Sequence, residues 1–141
     1  MMAVTISSCS KDDEPSNSKN PVKDPENTVT VNLLAGQSSN KAVILGSYVT
    51  VYVDDAYNLA TGTYTSIIDV GPVAGLGNIT SVPESGWKYE TAAIVGHGYV
   101  LKGNYTYGGG DVARLYIEKE MVSSSGAIMG YTVKYQCPMD M

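Results

Sequence analysis

The last 40 or so residues alternate between apolar and polar side chains, and this pattern constrains the fold more than any other feature. It predicts three strands of a meander, at residues 97–102, 112–119 and 127–136. The middle strand has an apolar and a polar face, namely Ala113, Leu115 and Ile117 against Arg114, Tyr116 and Glu118. A slip of one residue would bury the charged side chains, so the register is well specified. We expect one face in the core and the other in water.

Composition extends this prediction to the whole chain. The 141 residues include 11 Tyr, 15 Gly and no Phe, a composition that favours strands and turns over helices. About 110 residues follow a polar N-terminal segment, which is enough for one domain with its own core. The fold class we predict is all-β: an antiparallel β-sandwich or partly open barrel of about seven to nine strands.

Four further segments are predicted to be extended. Val29, Val31 and Leu33 alternate with polar residues and predict a first strand. The other three predictions are one long strand over residues 43–53 with a bulge at Gly46, two weaker strands within 57–70 joined by a hairpin turn at Thr61-Gly62, and a short strand at 92–95.

Small residues precede Cys9, and Ser10-Lys11-Asp12-Asp13-Glu14 follows it. This order resembles the lipobox of bacterial lipoproteins, followed by the acidic export signal of Bacteroidetes lipoproteins. The resemblance implies that Cys9 is a lipid anchor and that the mature chain is an outer-membrane lipoprotein on the cell surface or the periplasmic face. Residues 1–9 would be a truncated signal peptide, because the basic region is missing and the start lies upstream. The alternative is an ordinary cysteine in a tail, or one paired with Cys137.

Residues 10–27 are rich in proline and polar side chains and hold one aliphatic residue between Pro15 and Asn27. Such a segment buries too little apolar surface to order itself, so we predict a disordered tether. Its mean end-to-end distance would be roughly 23 Å, and its full stretch about 60 Å. The all-β domain is then predicted to cover residues 28–137.

Charge and motif spacing exclude several functions. A formal net charge of −5 and a pI of about 4.6 argue against a nucleic-acid partner. The two cysteines have no zinc or redox spacing. The glycine-rich run 71–78 lacks the Gly-Lys-Ser/Thr of a P-loop and the helix of a dinucleotide fingerprint. No cofactor, metal site or catalytic residue is predicted.

Five residues are predicted to contact a ligand or partner. Trp87 is either a cover on the core or a ring for stacking a ligand. His97 lies between two glycines at a strand entrance, where a turn is the competing interpretation, and Tyr99 follows it. Tyr105 and Tyr107 stand in the glycine-rich stretch 104–111, which we interpret as a contact loop rather than only a long hairpin. The other tyrosines opposite the aliphatic faces form either an exposed aromatic surface or part of a second layer.

The C-terminal half contains Gly96-His97-Gly98-Tyr99-Val100, then Ala113-Arg114-Leu115-Tyr116, then the run from Gly130 to Gln136. This order resembles a Bacteroidetes lipoprotein family of unknown function. A looser similarity is to the HmuY-type haem-binding lipoproteins, which hold haem between two histidines. Since His97 is the sole histidine, haem binding would need a second ligand such as Met129.

The function we predict is non-enzymatic binding of a ligand or partner by a domain held at the membrane through its N-terminal lipid. A glycan or an envelope protein would suit an exposed aromatic surface. Two alternatives remain open. One is a hydrolase-type enzyme with a site of carboxylates, tyrosines and His97, and the other is a small haem carrier.

Overall fold

Two antiparallel β-sheets contain all nine strands of the described chain. The computed structural model describes residues 22–104 and 110–139. The strands are β1 (Val29–Leu34), β2 (Val43–Gly46), β3 (Val49–Val53), β4 (Asn58–Thr61), β5 (Thr65–Pro72), β6 (Glu90–Ala92), β7 (His97–Gly103), β8 (Val112–Val122) and β9 (Ile128–Gln136). Two short 3₁₀ turns, Ser39–Lys41 and Leu76–Asn78, lie between strands.

The two sheets pack face to face as a sandwich. One has five strands in the order β1-β9-β8-β7-β5, and the other has four in the order β2-β3-β4-β6. Alternate residues of both sheets fill the space between them, as the pleat requires. Fully buried members of this core include Val49, Val51, Val53, Leu59, Ile67, Tyr99, Leu101, Leu115 and Ile117. The predicted all-β sandwich is confirmed, and neither sheet closes into a barrel.

The C-terminal meander is confirmed as β7, β8 and β9. Tyr99 pairs with Leu115, and Leu115 pairs with Tyr135, so the apolar residues of the three strands share one face. The predicted core residues Ala113, Leu115 and Ile117 have no exposed surface. Hydrophobic period alone was enough to place this sheet, because its inner face is lined almost entirely by aliphatic and aromatic side chains.

The opposite face of the meander was predicted to be in water, and this prediction is wrong for part of it. Leu76, Ile79 and Val100 form a second buried cluster on that outer face, beneath the connection between β5 and β6. Arg114 is only 6% exposed; its Nε donates to Gln136 Oε1 at 2.9 Å and a terminal nitrogen donates to the Ile79 carbonyl at 2.7 Å. The polar side chains of this face are therefore hydrogen-bonded within a third layer.

Residues 22–28, here called the strap, lie across the same outer face. The Val22 amide donates to Asn78 Oδ1 at 3.0 Å, and Gln136 Nε2 donates to the Glu26 carbonyl at 2.8 Å. Lys134 Nζ lies 2.8 Å from an Asp24 carboxylate oxygen, and this hydrogen bond raises the pKa of the lysine. Residues 22–27 were assigned to the disordered tether, but they pack on the sheet. Residues 10–21 of that tether lie outside the described chain.

The long strand predicted over 43–53 is two strands joined by a tight turn. Gly46 pairs with Val49, so β2 and β3 form a hairpin with Ser47 and Tyr48 at its tip. A two-residue turn alone would pair odd-numbered with even-numbered residues. The register shift between Ile44 and Gly46 restores the pairing of Val43 with Val51, which is why the alternation continues through the turn. The predicted irregularity at Gly46 is present as a register shift in the pairing.

The hairpin predicted at Thr61-Gly62 is also wrong. β4 pairs with β3 and β6, whereas β5 pairs with β7, so residues 62–64 carry the chain from one sheet to the other. The short strand expected at 92–95 lies slightly earlier, as β6. Two backbone hydrogen bonds, one in each direction, join Ile67 and Lys88. They link β5 to the segment before β6 on this side of the sandwich.

Candidate functional site

Two exposed tyrosines meet at one end of the sandwich, where the β2–β3 turn and the β4–β5 connection lie side by side. Tyr48 is 41% and Tyr64 is 47% exposed. Their ring centroids are 5.7 Å apart and their planes are at 83°, an edge-to-face pair. We call this end, defined by Tyr48 and Tyr64, the aromatic end. The two partly exposed rings meet at a corner.

The turn that carries Tyr48 is fixed by hydrogen bonds from the other sheet. Thr65 Oγ1 donates to the Tyr48 carbonyl at 2.7 Å, and Thr65 has no exposed surface. Asp111 binds Ser47 twice, since its amide donates to the Ser47 carbonyl at 3.0 Å and its carboxylate accepts from the Ser47 amide at 3.0 Å. Gly103 allows this close approach, because a Cβ there would lie 2.9 Å from the Ser47 carbonyl oxygen. The Tyr48 backbone is thus held rigidly.

Tyr64 is held from β7. The Asn104 amide donates to the Tyr64 carbonyl at 2.6 Å, and the Asn104 side chain bonds the Ser66 hydroxyl. Asn104 and Asp111 flank the stretch 105–109, so both sides of that stretch are bonded to the turns that carry the two tyrosines. The predicted contact residues Tyr105 and Tyr107 themselves lie outside the described residues.

Both tyrosines have left-handed backbone conformations. The φ angle is +59° at Tyr48 and +65° at Tyr64, a region that normally suits glycine or asparagine. An L-residue with a Cβ pays about 1–2 kcal/mol to be there. Strain of this kind persists only where neighbouring contacts determine the conformation, as the bonds from Thr65 and Asn104 do. The strain marks the aromatic end as a candidate functional site.

Trp87 and Tyr99, two of the predicted contact residues, are placed in packed layers. Trp87 is half-buried against the outer cluster, its ring faces Lys102 Nζ at 4.5 Å, and its Nε1 is buried without a hydrogen-bond acceptor among the described residues. Tyr99 has no exposed surface, and its hydroxyl donates to the Ala92 carbonyl at 2.8 Å. Burial raises the pKa of Tyr99. Tyr99 is therefore a core residue and cannot serve as the exposed ligand contact that the sequence predicted.

His97 lies near the opposite end, at the start of β7. Its Nδ1 is 3.0 Å from both carboxylate oxygens of Asp69, and both side chains are about one-fifth exposed. The Asp69 carboxylate also accepts from the Gly71 amide at 2.7 Å, which fixes its orientation. The carboxylate was not singled out in the sequence, because Asp69 is 28 residues from His97 and only strand pairing brings them together. An imidazole oriented in this way can accept or donate a proton at its other nitrogen.

Two adjoining grooves lie beside β1, where its end meets β3 and β9. One, of about 220 Å³, is lined by residues that include Leu33, Val43 and Val53, and the other, of about 390 Å³, by residues that include Tyr57, Ile128 and Met129. Leu34 and Gln37 line both. His97 is not among their lining residues, so the structure does not place Met129 and His97 in one of these cavities.

Residues 36–139 match the family described as "Domain of unknown function (DUF5036)". The chain belongs to this family. No curated protein and no solved structure matches the chain. The matched range includes every strand except β1, and it contains both tyrosines of the aromatic end as well as the Asp69–His97 pair. The strap and Cys9 precede it.

Two features are absent from residues 22–104 and 110–139. No helix in these ranges is long and apolar enough to cross a membrane. Within the same ranges, no group of three or more histidine, cysteine or acidic side chains is arranged to hold a metal ion.

Cys137, which follows β9, is expected to react slowly. It is a free thiol, and burial together with the nearby Asp111 carboxylate raises its pKa to about 11 from an ordinary value of 9.0. At pH 9 about 1% of such a thiol is ionised, against half of an ordinary one, so in a Cys9→Ser variant we expect reaction with Ellman's reagent about fifty-fold slower in folded than in denatured protein. The unfolded thiol ionises first, so stability falls as the pH rises from 9 towards 11. Equal reactivity in both states would contradict this.

Proposed function

We propose that this family member is a lipid-anchored binding domain of the bacterial cell envelope, with its ligand contact surface at the aromatic end. The observation that carries the proposal is that Tyr48 and Tyr64, both exposed and both held in a left-handed conformation, meet edge to face at one end of the sandwich. Glycine or asparagine would satisfy either turn at lower cost. A ligand contact made by the two tyrosine rings would explain why tyrosine occupies these positions despite the backbone strain.

An uncharged carbohydrate fits this surface best. The apolar C–H face of a sugar ring can stack on one tyrosine while its hydroxyl groups meet polar atoms such as those of Ser47 and Asn104, which border the pair. A stable protein interface needs about 800 Å² per partner with an apolar centre, and a corner of two tyrosines is much smaller than that. The net charge of −5 disfavours polyanionic ligands.

The anchor part of the proposal is supported by the residues around Cys9. The resemblance to a lipobox and an acidic export signal favours a lipid at Cys9 and attachment of the domain to the outer membrane. Mass spectrometry of the mature N-terminus tests this directly. A diacylated cysteine at position 9 is the expected result, and an unmodified Cys9 in a chain recovered from the cytosol would contradict it.

Asparagine substitutions test the binding surface, because asparagine tolerates a left-handed backbone. Tyr48→Asn and Tyr64→Asn each lose an edge-to-face contact of about 0.5–1.5 kcal/mol and relieve strain of about 1–2 kcal/mol, so unfolding free energies should change by less than about 1.5 kcal/mol. Binding to an array of neutral and anionic oligosaccharides should fall at least tenfold on the neutral members. The matched control is Tyr57→Asn, since Tyr57 is also left-handed (φ +62°) and 40% exposed but lies at the other end.

The outcomes of this comparison are distinct. If Tyr48→Asn and Tyr57→Asn reduce oligosaccharide binding equally, the aromatic end is not the site. If the wild-type protein binds no sugar but captures an envelope protein in a manner lost in Tyr64→Asn, the surface is correct and the ligand class is wrong.

A second candidate is general-base catalysis, which the Asp69–His97 geometry favours. A carboxylate that accepts a hydrogen bond from imidazole Nδ1 orients the ring for proton transfer at Nε2. Hydrolysis of an ester, glycoside or peptide substrate that is lost in both His97→Gln and Asp69→Asn would support it. Turnover that persists in both variants would contradict general-base catalysis by His97.

A further inference from the structure

Within residues 22–104 and 110–139, no strand pairs with the outer edge of β1. β1 is the first strand of the five-stranded sheet and pairs on one side only, with β9. Its sequence, Val-Thr-Val-Asn-Leu-Leu, has no charge and no proline, and its pairing with β9 has no register shift. Val29 and Leu34 are 43% and 47% exposed. Such an edge is a template for another strand, and natural proteins usually protect it.

The other sheet edges are protected in the ways that soluble β-proteins use. β2 has four residues and a register shift at Gly46, and β6 has three residues. β5 is longer, but it carries a shift between Asp69 and Gly71, and Ile67 on its outer edge already bonds Lys88. Short strands, irregular pairing and covering segments all hinder addition of a strand. Among the described edges, β1 is the long and regular exception.

The pairing with β9 shows which backbone groups face outward. The Ala35 amide, next in the chain after β1, donates to the Met129 carbonyl at 2.8 Å, so Ala35 points its backbone groups toward β9. In an antiparallel pair, every second residue points its backbone amide and carbonyl toward the paired strand. Leu33, Val31 and Val29 therefore also direct these groups toward β9. Thr30, Asn32 and Leu34 therefore direct three amides and three carbonyls out of the sheet. None of these six groups has a partner among the described residues.

We propose that β1 pairs antiparallel with β1 of a second copy of this chain, about a two-fold axis at Asn32. Thr30 then lies opposite Leu34 of the second copy, and Asn32 lies opposite its counterpart. All six outward backbone groups of each copy are satisfied in this register, and Val31 faces the second copy's Leu33 on the core side. No like charges oppose one another along the pairing, although each chain is acidic. The two five-stranded sheets become one of ten strands.

The groove of about 220 Å³ beside β1 supports the choice of partner. Leu33, Leu34 and Val43 line it, so it presents apolar surface at the open side of the sandwich, where the second copy would sit. A strand that joins β1 directs alternate side chains toward this groove, and β1 itself carries aliphatic residues at alternate positions. This inference is independent of the proposed ligand surface, because Tyr48 and Tyr64 are on other strands and turns.

Sedimentation equilibrium of the full-length, unlipidated chain under reducing conditions tests the pairing. We expect a reversible dimer. Thr30→Pro removes an outward amide but leaves the ladder to β9 intact, so it should weaken the dimer at least tenfold without unfolding the protein. Thr30→Val keeps that amide and should leave dimerisation within about twofold of wild type. Asn32→Lys places two lysines opposite each other and should also weaken the dimer at least tenfold.

Two results would overturn the proposal. One is a wild-type chain that stays monomeric up to about 1 mM, since a dissociation constant of 1 mM corresponds to an association free energy of only about −4 kcal/mol. The other is a dimer whose dissociation constant is unchanged in both Thr30→Pro and Asn32→Lys. Circular dichroism of each variant confirms that it is folded, and the lysine variant decides the matter if the proline variant is not.

Discussion

Gly130→Ala is expected to lower the free energy of unfolding by about 3 kcal/mol or more. Gly130 lies in β9 beside the end of β1, and its φ is +155°. A Cβ at this position would overlap the Leu33 carbonyl oxygen and lie 2.8 Å from Leu34 Cα. Both are backbone atoms of the paired strand, so neither can move aside without breaking the β1–β9 ladder.

Gly36→Ala is the matched control. Gly36 also has a positive φ, +82°, but a Cβ there meets nothing within 4 Å. Its cost is therefore the left-handed backbone alone, about 1–2 kcal/mol. Urea denaturation of the two variants separates conformational strain from overlap. Equal losses of stability would show that the β1–β9 contact at Gly130 is not as close as described.

Arg114→Met is expected to cost about 3 kcal/mol, because buried hydrogen bonds from a charged donor contribute about 1.5–3 kcal/mol each. Methionine keeps much of the apolar stem but cannot donate. The Ile79 carbonyl and the Gln136 side chain would each lose a buried partner. Lys119→Met, on the exposed part of β8, is the control and should change stability by less than about 0.5 kcal/mol. A comparable loss in both variants would mean that the Arg114 contacts contribute little.

Hydrophobic alternation predicted β1, β7, β8 and β9 because one face of each strand packs into the core. It could not predict that the second face of the five-stranded sheet is also covered. Arg114 and Gln136 look like solvent-facing residues in sequence. In the structure Arg114 bonds Ile79, 35 residues away in the chain, and Gln136 bonds Glu26, 110 residues away. A long connection that packs onto a sheet has no hydrophobic periodicity by which the sequence could reveal it.

The β2–β3 turn was missed for a different reason, whereas the turn predicted at Thr61-Gly62 is present but connects the two sheets instead of two paired strands. Sequence reasoning recognises a tight turn by glycine, asparagine, aspartate or proline. At the β2–β3 and β4–β5 connections the left-handed residue is a tyrosine, a type more typical of strands. In sequence, Tyr48 is one of several tyrosines opposite the aliphatic faces, and no pattern distinguishes Tyr64. The residue that hides the β2–β3 turn is therefore one of the two that form the candidate site.

The position of Trp87 decides what fluorescence can report about this protein. It is the sole tryptophan, and it packs in the outer cluster rather than between the two sheets. Intrinsic tryptophan emission therefore follows the connection between β5 and β6, whereas far-ultraviolet dichroism follows the strands. Coincident denaturation curves from the two signals would show that the third layer and the sandwich unfold as one cooperative unit.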